Sequence, residues 1–316
     1  MKPVKYGIFF FGIAVLAALA VYAGVHNVVR TLARLGWGGF SLITGLHLLV
    51  IAAMGVAWWS VGRDGLSKFL MARWVRDSVA EVLPFSQIGG YFSGARAASL
   101  GGTPLTRSAL SMLADLVSEF AAKLVYVLAA IVCLASLLPG AYLIWPMMGM
   151  LGLAFAGFLF AAVFRERLKK ILEHWAPRLV GRWIPLRAGT KLDFGDYFQW
   201  DRLCPSFLIH LACWFFGALE AWVTLRLMGI PVTGGEALVI DSLATSLRAL
   251  GFMVPAAIGV QEGGYVLVCL LFGIAPAEAV AFSLARRARD LAIGLPGLGL
   301  WQFLEAKAFR NPVEQN

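Results

Sequence analysis

The segment from Val254 to Tyr265 places the strongest constraint on how this chain can fold. It separates two apolar runs, each shorter than the roughly 20 residues that a helix needs to cross a bilayer. Proline removes a backbone donor and crowds the preceding helical turn, while glycine permits close approaches and unusual backbone angles. We therefore predict a broken helical hairpin over residues 236–274. Its structural residues are Pro255, Gly259, Gly263 and Gly264.

Glu262 places an ionisable group at the turn of this hairpin. A carboxylate in the membrane is costly unless protein covers it or it lines a polar cavity. We predict that Glu262 is protonated or paired with Arg248, Arg286 or Arg287, and that it helps to bind a substrate.

A similar segment occurs earlier, from Leu83 to Tyr91, where a proline is again followed by Gly-Gly-Tyr. It predicts a first hairpin over residues 82–100, and an aspartate follows each copy, Asp115 in one and Asp290 in the other. Paired interrupted segments in two halves of a membrane protein point to a transporter's binding site. The structural residues of this hairpin are Pro84, Gly89 and Gly90.

The composition supports a membrane protein, because 60% of the residues are hydrophobic and only 14% are charged. Soluble domains have about 45–50% apolar and 25% charged residues. We predict an all-α polytopic integral membrane protein with about six full transmembrane helices and two re-entrant hairpins in an inverted repeat. The single membrane domain, 1–316, divides into a first span and interfacial helix (1–40), a first repeat (41–138), a fourth span and basic loop (139–202), a second repeat (203–300) and a tail (301–316).

The distribution of Lys and Arg predicts the orientation. Residues 165–202 form the largest polar loop and carry many basic residues, whereas 229–235 carry none. The first is expected in the cytoplasm and the second outside, with both termini cytoplasmic. Arg30 and Arg34 fall on the outer side and are exceptions to the rule. The net charge of +9 is attributed to this loop asymmetry and to anionic lipid, not to nucleic-acid binding.

Charged residues within the apolar segments are the candidate substrate-binding groups. Asp115, Glu119 and Lys123 share one helix face, either as a polar stripe along a headgroup path or as an internal ion-pair ladder. Arg286, Arg287 and Asp290 cluster in the last span, where an arginine can meet Glu262 or a phosphate, or can snorkel. Further candidates are Arg248 on the second hairpin and Arg96 after the first, which either binds phosphate or anchors the hairpin.

Enzyme motifs are sparse. The histidines lack metal-ligand spacing, and no phosphate-binding loop or CxxC pair occurs, so neither a metal nor a cofactor is expected. An intramembrane transferase that uses Glu262 as a base remains an alternative.

At the two hairpins the sequence resembles the flippase-like membrane region of bacterial lysyl-phosphatidylglycerol synthetases, roughly from Ser41 to Leu300. The residues that carry the resemblance are Leu83, Pro84, Gly89, Gly90, Arg96, Pro255, Gly259, Glu262, Gly273 to Pro276, and Arg286 or Arg287. The run PAAIGVQEGG is most similar to the hopanoid-associated branch, although Ala256 and Ala257 replace a more usual Gly-Gly. The domain that attaches the amino acid has no counterpart here, so synthetase activity is not expected.

The resemblance implies a protein of the bacterial inner membrane that moves or presents an amphiphilic lipid between leaflets: a phospholipid, hopanoid or glycolipid. The alternative is a membrane-embedded enzyme or accessory subunit of lipid or hopanoid biosynthesis. The expected partners are membrane lipids. Lipid-biosynthesis enzymes and a second copy of the chain are left open as further partners, and no nucleic acid is expected.

Overall fold

The computed structural model describes residues 21, 24–83, 87–140, 144–163, 167, 195–250 and 259–310. Every regular element in these ranges is an α-helix. The helices are α1 (Val25–Gly62), α2 (Leu66–Val82), α3 (Gln87–Leu100), α4 (Leu105–Leu137), α5 (Ile144–Val163), α6 (Trp200–Leu227), α7 (Gly234–Leu250), α8 (Val260–Leu270) and α9 (Pro276–Arg310).

Three of these helices, α1, α4 and α6, are long and apolar enough to cross a membrane. The all-helical prediction is confirmed for the described residues, whereas the number of spans stays a prediction. The predicted first span, Pro84, Pro255 and most of the basic loop lie outside the described residues.

Helix α1 joins two segments that the sequence suggested were separate, an interfacial helix and the second span. The helix is broken at Gly36, whose φ of 58° is in the left-handed region that glycine tolerates. Val28 and Leu35 before the break are buried in the same core as Ile43 after it. Packing on both sides therefore holds the bent helix in place.

Side-chain contacts define two ends of the molecule. At the first end, Thr103 donates a hydrogen bond to Asp64 at 2.6 Å, and Arg202 donates to the carbonyl of Val61 at 2.8 Å. At the second end, the start of α7 meets the end of α4, where a Cβ on Gly235 would lie 3.0 Å from Cys133 Sγ. Helices α4 and α6 consequently run from the first end to the second.

Two helical hairpins enter from these opposite ends. Helices α2 and α3 pack against each other and begin and finish near the first end, whereas α7 and α8 pack together and begin and finish near the second. The first hairpin thus spans Leu66–Leu100 and not only the predicted 82–100. The sequence indicates that residues 63–81 are basic and amphipathic and lead into the hairpin, and in the structure Leu66–Val82 buries Phe69, Ala72 and Val75.

A close approach of backbones explains why the first hairpin needs a glycine at position 90. A Cβ built there would lie 2.8 Å from the carbonyl oxygen of Arg76 on α2. The glycines of the second hairpin are used differently. Gly259 begins α8 with a φ of 82°, whereas a Cβ on Gly263 would meet none of the described residues within 4 Å.

The surface outside this packing is strongly apolar. Many large side chains are exposed along α1, α4, α5 and α6, among them Leu49, Val132, Leu153 and Leu208. An apolar exterior and a polar interior are what a bilayer requires, since hydrocarbon offers no partner to exposed charges.

Candidate functional site

The interior of the molecule contains an unusually dense set of charges for an apolar chain. Among the described residues, eight carboxylates and seven cationic side chains from six helices lie in adjoining clusters. The acids are Asp77, Glu81, Asp115, Glu119, Glu220, Asp241, Glu262 and Asp290, and the bases are Arg73, Arg76, Lys123, Arg248, Arg286, Arg287 and Arg289. We call this set the ionic core.

The largest cluster joins α2 to α4. Arg73 holds Glu119 through two hydrogen bonds of 3.1 Å and Asp77 through one of 2.8 Å. Arg76 donates to Glu119 at 2.7 Å, and its second terminal nitrogen lies 3.5 Å from Asp115 Oδ2. Two guanidinium groups on one hairpin arm therefore balance the carboxylates on the facing helix.

Helix α6 completes this cluster with a histidine. His210 Nε2 lies 2.9 Å from Asp115 Oδ1, and the Ser206 hydroxyl donates to the same oxygen at 3.1 Å. Asp115, Ser206 and His210 are all fully buried. We call the group of Arg73, Arg76, Asp77, Asp115, Glu119 and His210 the α2–α4–α6 cluster.

Three atoms that could ligate a metal come together here, because Asp115, Glu119 and His210 each place a ligand atom within 4.8 Å of the others. The two guanidinium groups already hold both oxygens of Glu119 and lie near the outer oxygen of Asp115. A divalent cation would be repelled by these fixed positive charges. The donor set thus fits an ion-pair cluster better than a metal site.

A second histidine–carboxylate pair joins α1, α6 and α9. His47 Nδ1 lies 2.9 Å from Glu220 Oε2, and Arg289 pairs with the other oxygen of Glu220. Arg289 also donates to Asp290 on its own helix at 2.6 Å. This cluster ties the last helix to the two long helices α1 and α6.

The third cluster is centred on Asp241 of α7. Arg286 pairs with one of its oxygens, and the Tyr126 hydroxyl donates to the other at 2.7 Å. Lys123 lies nearby, where its ammonium donates to Thr245 at 2.6 Å and stands 3.9 Å from the centre of the Trp214 ring. The aromatic face and the hydroxyl replace part of the hydration that this buried cation loses.

Glu262 caps the start of α8 and also binds an arginine. One carboxylate oxygen accepts the backbone N–H of Gly259 at 2.7 Å, and the other accepts Arg287 Nε at 2.8 Å. An acid in the first turn interacts favourably with the partial positive charge of a helix N-terminus. Both interactions hold this fully buried side chain in place.

The two hairpins meet through one further ion pair. Arg248, near the end of α7, contacts Glu81, near the end of α2. We call Glu81 and Arg248 the tip pair. It links a hairpin that enters from one end of the molecule to a hairpin that enters from the other.

Arg96 is separate from the ionic core. It forms two hydrogen bonds of 3.1 and 3.2 Å with Glu305 near the first end of the molecule, and both side chains are more than a third exposed.

At the same end, hydrogen bonds from Thr103, Lys68 and the Gly65 backbone lower the pKa of Asp64 from 3.8 to about 2. These hydrogen bonds join Asp64 to α2 and to the start of α4. Their contribution to stability is therefore fully present above pH 3.8 and is lost as the pH falls towards 2.

The structure brings together most of the residues that the sequence singled out. Asp115 and Glu119 share one cluster, Glu262 contacts Arg287, and Arg248 joins the hairpins. Arg286, which helical spacing allowed to pair with Asp290, contacts Asp241 instead. The role of all these residues in binding a substrate stays a prediction.

Sequence reasoning missed several members of the ionic core. Arg73 and Arg76 were placed in a basic amphipathic segment and not among the binding residues. His47 and His210, which contact the ionic core, were set aside because the histidines are far apart in sequence and lack metal-ligand spacing. The signal that could have found the arginines is the alternation of Phe69, Ala72 and Val75 with the charges, which is typical of a buried helix face.

Comparison with protein-family models matches residues 9–297 to the lysylphosphatidylglycerol synthase TM region. No curated protein and no solved structure matches the chain. The family match covers both hairpins and every residue of the ionic core.

Proposed function

The chain belongs to the family of the lysylphosphatidylglycerol synthase TM region, and from this premise we propose that it is a lipid flippase or transporter. Family membership and the apolar helices support a membrane protein associated with lipid metabolism. The proposal adds that the protein moves an amphiphilic lipid between leaflets, or presents it to a partner. A phospholipid, a hopanoid and a glycolipid are the candidate substrates, and the hopanoid-associated branch is part of the proposal.

The observation that carries the proposal is the ionic core between two oppositely directed hairpins. Charges inside a membrane protein are expensive and are concentrated along substrate and ion pathways. Interrupted helices from two halves that meet near the middle of a protein are typical of transporter binding sites. Here the hairpins meet at the tip pair, and the clusters on both sides of it are polar.

The chemistry of the ionic core suits a lipid headgroup. Guanidinium groups bind phosphate through two parallel hydrogen bonds, and carboxylates accept hydrogen bonds from amines and hydroxyls. A headgroup that passes between the hairpins would exchange with ion pairs already present, while its acyl chains stay along the apolar exterior. The tip pair would have to separate during this passage.

The test is lipid movement in sealed vesicles that contain the purified full-length protein. Trace lipids with a fluorescent headgroup, one from each candidate class, are exposed to a reductant that cannot cross the membrane. We expect bleaching to extend beyond the outer leaflet for at least one class, with no change in the mass of that lipid. Vesicles with no protein provide the baseline.

Two results would overturn the proposal. Bleaching limited to the outer leaflet for every lipid class would exclude movement between leaflets. A change in the mass of the lipid would instead favour the membrane-embedded enzyme. Identifying the lipid that copurifies with the protein narrows the choice of substrate in either case.

A further inference from the structure

We propose that His210 and Asp115 form a proton-binding site that couples lipid movement to a proton gradient. The proposal rests on the proposed lipid transport for the process that is driven. The existence of the proton site can be measured independently.

The geometry of His210 leaves one ring nitrogen available. Nε2 lies 2.9 Å from Asp115 Oδ1, whereas Nδ1 is buried and has no hydrogen-bond partner among the described residues. A neutral imidazole that donates from Nε2 to Asp115 carries a lone pair on Nδ1. This nitrogen can accept a proton without breaking the contact with Asp115.

The charge balance of the surrounding cluster favours one added proton. Helix α4 contributes two carboxylates, Asp115 and Glu119, and helix α2 contributes one more, Asp77. The two guanidinium groups of Arg73 and Arg76 leave a net charge of −1 when His210 is neutral. Protonation of His210 makes the cluster neutral, which matters because a net charge is costly in a site of low dielectric.

Other helices packed on α6 place no further charge in contact with His210 among the described residues. From α1, the neighbouring groups are the uncharged Met54 and the Val50 carbonyl, near Cys213. From α7, Asp241 is held by Arg286 and Tyr126 in a separate cluster, and Glu220 on α6 itself pairs with His47 and Arg289. The protonation of His210 is therefore governed mainly by the α2–α4–α6 cluster.

A proton on Nδ1 would change what the guanidinium groups can bind. The positive imidazolium competes with Arg73 and Arg76 for the charge of Asp115, from which they stand 3.8 and 3.5 Å away. Arg76 Nη1 has no hydrogen-bond partner among the described residues and is buried. Protonation would thus free the two guanidinium groups to bind an anionic headgroup, and loss of the proton would favour release of that headgroup.

The first experiment detects the proton directly. The chain has four histidines, so selective isotope labelling of histidine in the full-length protein gives few NMR signals, assigned with the His210→Gln variant. We expect the His210 ring to change its protonation state as the pH is varied over the range in which the protein stays folded. A ring that keeps one protonation state across this range would overturn the proposal, whatever the protein does to lipids.

The second experiment tests the coupling in vesicles with a pH difference across the membrane. The rate of lipid movement by the wild type should change by up to about tenfold for one pH unit, since this alters proton activity tenfold. His210→Gln retains a donor towards Asp115 but cannot be protonated, so its rate should not respond to the gradient. His26→Gln is the matched control, because His26 is exposed at the start of α1 and should retain the full response.

The outcomes separate the two proposals. Lipid movement by the wild type that ignores the gradient, or a gradient response that survives in His210→Gln, overturns the coupling but leaves lipid transport intact. A wild type that moves no lipid at any pH contradicts the proposed function and the coupling, whereas the NMR titration still decides whether the proton site exists.

Discussion

At the scale of single residues, Glu262 shows how one carboxylate serves both structure and charge. Its contact with the Gly259 N–H fixes the start of α8, and its contact with Arg287 neutralises a buried charge. An amide can replace the first contact but not the second. These two roles can therefore be separated by substitution.

Glu262→Gln should abolish lipid movement while leaving the melting temperature near that of the wild type. The amide oxygen still accepts the Gly259 N–H, but the charge that faces Arg287 is lost. Glu262→Ala should be less stable than Glu262→Gln by about 1–3 kcal/mol, since alanine also leaves the buried Gly259 N–H without its acceptor. Vesicle assays and thermal unfolding in detergent measure the two effects.

Glu278→Gln is the matched control for this substitution. Glu278 also lies in the first turn of a helix and accepts a backbone N–H, that of Ala275 at 3.3 Å, but it lies outside the ionic core. The Glu278→Gln variant should therefore move lipid at the rate of the wild type. Normal lipid movement by Glu262→Gln would show that Glu262 acts only as a structural cap of α8.

Asp241→Ala should be among the most destabilising single changes in the chain. It removes the carboxylate that holds both Arg286 and the Tyr126 hydroxyl in a fully buried site. The expected loss is about 3–5 kcal/mol, whereas Tyr126→Phe, which removes one hydrogen bond, should cost about 1–3 kcal/mol. Equal losses in the two variants would show that Arg286 is satisfied without Asp241.

The sequence predicted which residues of a helix share a face, but not which helix that face meets. The spacing of Asp115 and Glu119 indicated a common surface, and both indeed contact the same arginines. Arg73 and Arg76 lie 46 and 43 positions from Glu119, and His210 lies 95 positions from Asp115. Helical periodicity carries no information about such long-range pairing.

At the scale of elements, the two hairpins use glycine for different purposes. The first packs its arms so closely that Gly90 has no room for a side chain, whereas a Cβ on Gly263 in the second would contact none of the described residues. Each of these glycines is the fourth residue of its helix, α3 or α8. The repeated Gly-Gly-Tyr pattern suggested equivalent roles, but the pattern alone could not distinguish them.

Gly90→Ala should destabilise the protein by about 1–3 kcal/mol, because the added methyl group would overlap the Arg76 carbonyl oxygen and push the arms apart. Gly263→Ala should be neutral or stabilise by about 0.5–1 kcal/mol, as expected of alanine in a helix. Thermal unfolding of the two variants under the same conditions gives the comparison. A larger loss at position 263 than at position 90 would contradict the packing.

The tip pair can be tested by reversing its charges. Glu81→Arg and Arg248→Glu should each destabilise the protein, since each places like charges together at the tips. The double variant should recover part of the loss, with an interaction energy of about 0.5–3 kcal/mol. The partly exposed pair of Arg96 and Glu305 is the control, and reversing its charges should give an interaction energy of less than about 1 kcal/mol. Strictly additive losses at the tips would exclude a direct contact.

At the scale of the whole molecule, the two halves carry opposite signs of charge. In the first half, Arg73 and Arg76 on the hairpin face acids on α4. In the second half, the acids Asp241 and Glu262 on the hairpin face Arg286 and Arg287 on α9. Where the hairpins meet, the signs are exchanged, because the first hairpin contributes the acid Glu81 and the second contributes Arg248.

The sequence predicted hairpins over residues 82–100 and 236–274 from their interruptions and apolar flanks, whereas the structure packs α2 against α3 and α7 against α8. The first arm of the first hairpin, Leu66–Val82, has many charges, and these are ordinarily signs of a surface. Burial is possible because α4 and α9 supply partners for these charges and packing surfaces for the apolar residues between them. Only the tertiary contacts reveal this compensation.

The arrangement of ends leads to a prediction about topology. Lys307 lies near the end of α9, close to the contact between Arg96 and Glu305, whereas Gly234 begins α7 at the opposite end of the molecule. Both positions are exposed. The scarcity of Lys and Arg around Gly234 and the basic loop around Arg178 then predict which end faces the cytoplasm.

Single cysteines provide the measurement, in a variant that lacks Cys133, Cys204, Cys213 and Cys269. Gly234→Cys should react with a membrane-impermeant reagent added outside intact cells, because Gly234 begins the α7–α8 helix pair, which is expected to enter from that side. Lys307→Cys and Arg178→Cys should react only after the membrane is opened, since positive loops are retained in the cytoplasm. Labelling of positions 234 and 307 from the same side would contradict hairpins that enter from opposite faces. Labelling of each from the side opposite to that expected would preserve the inverted arrangement and reverse only its orientation in the membrane.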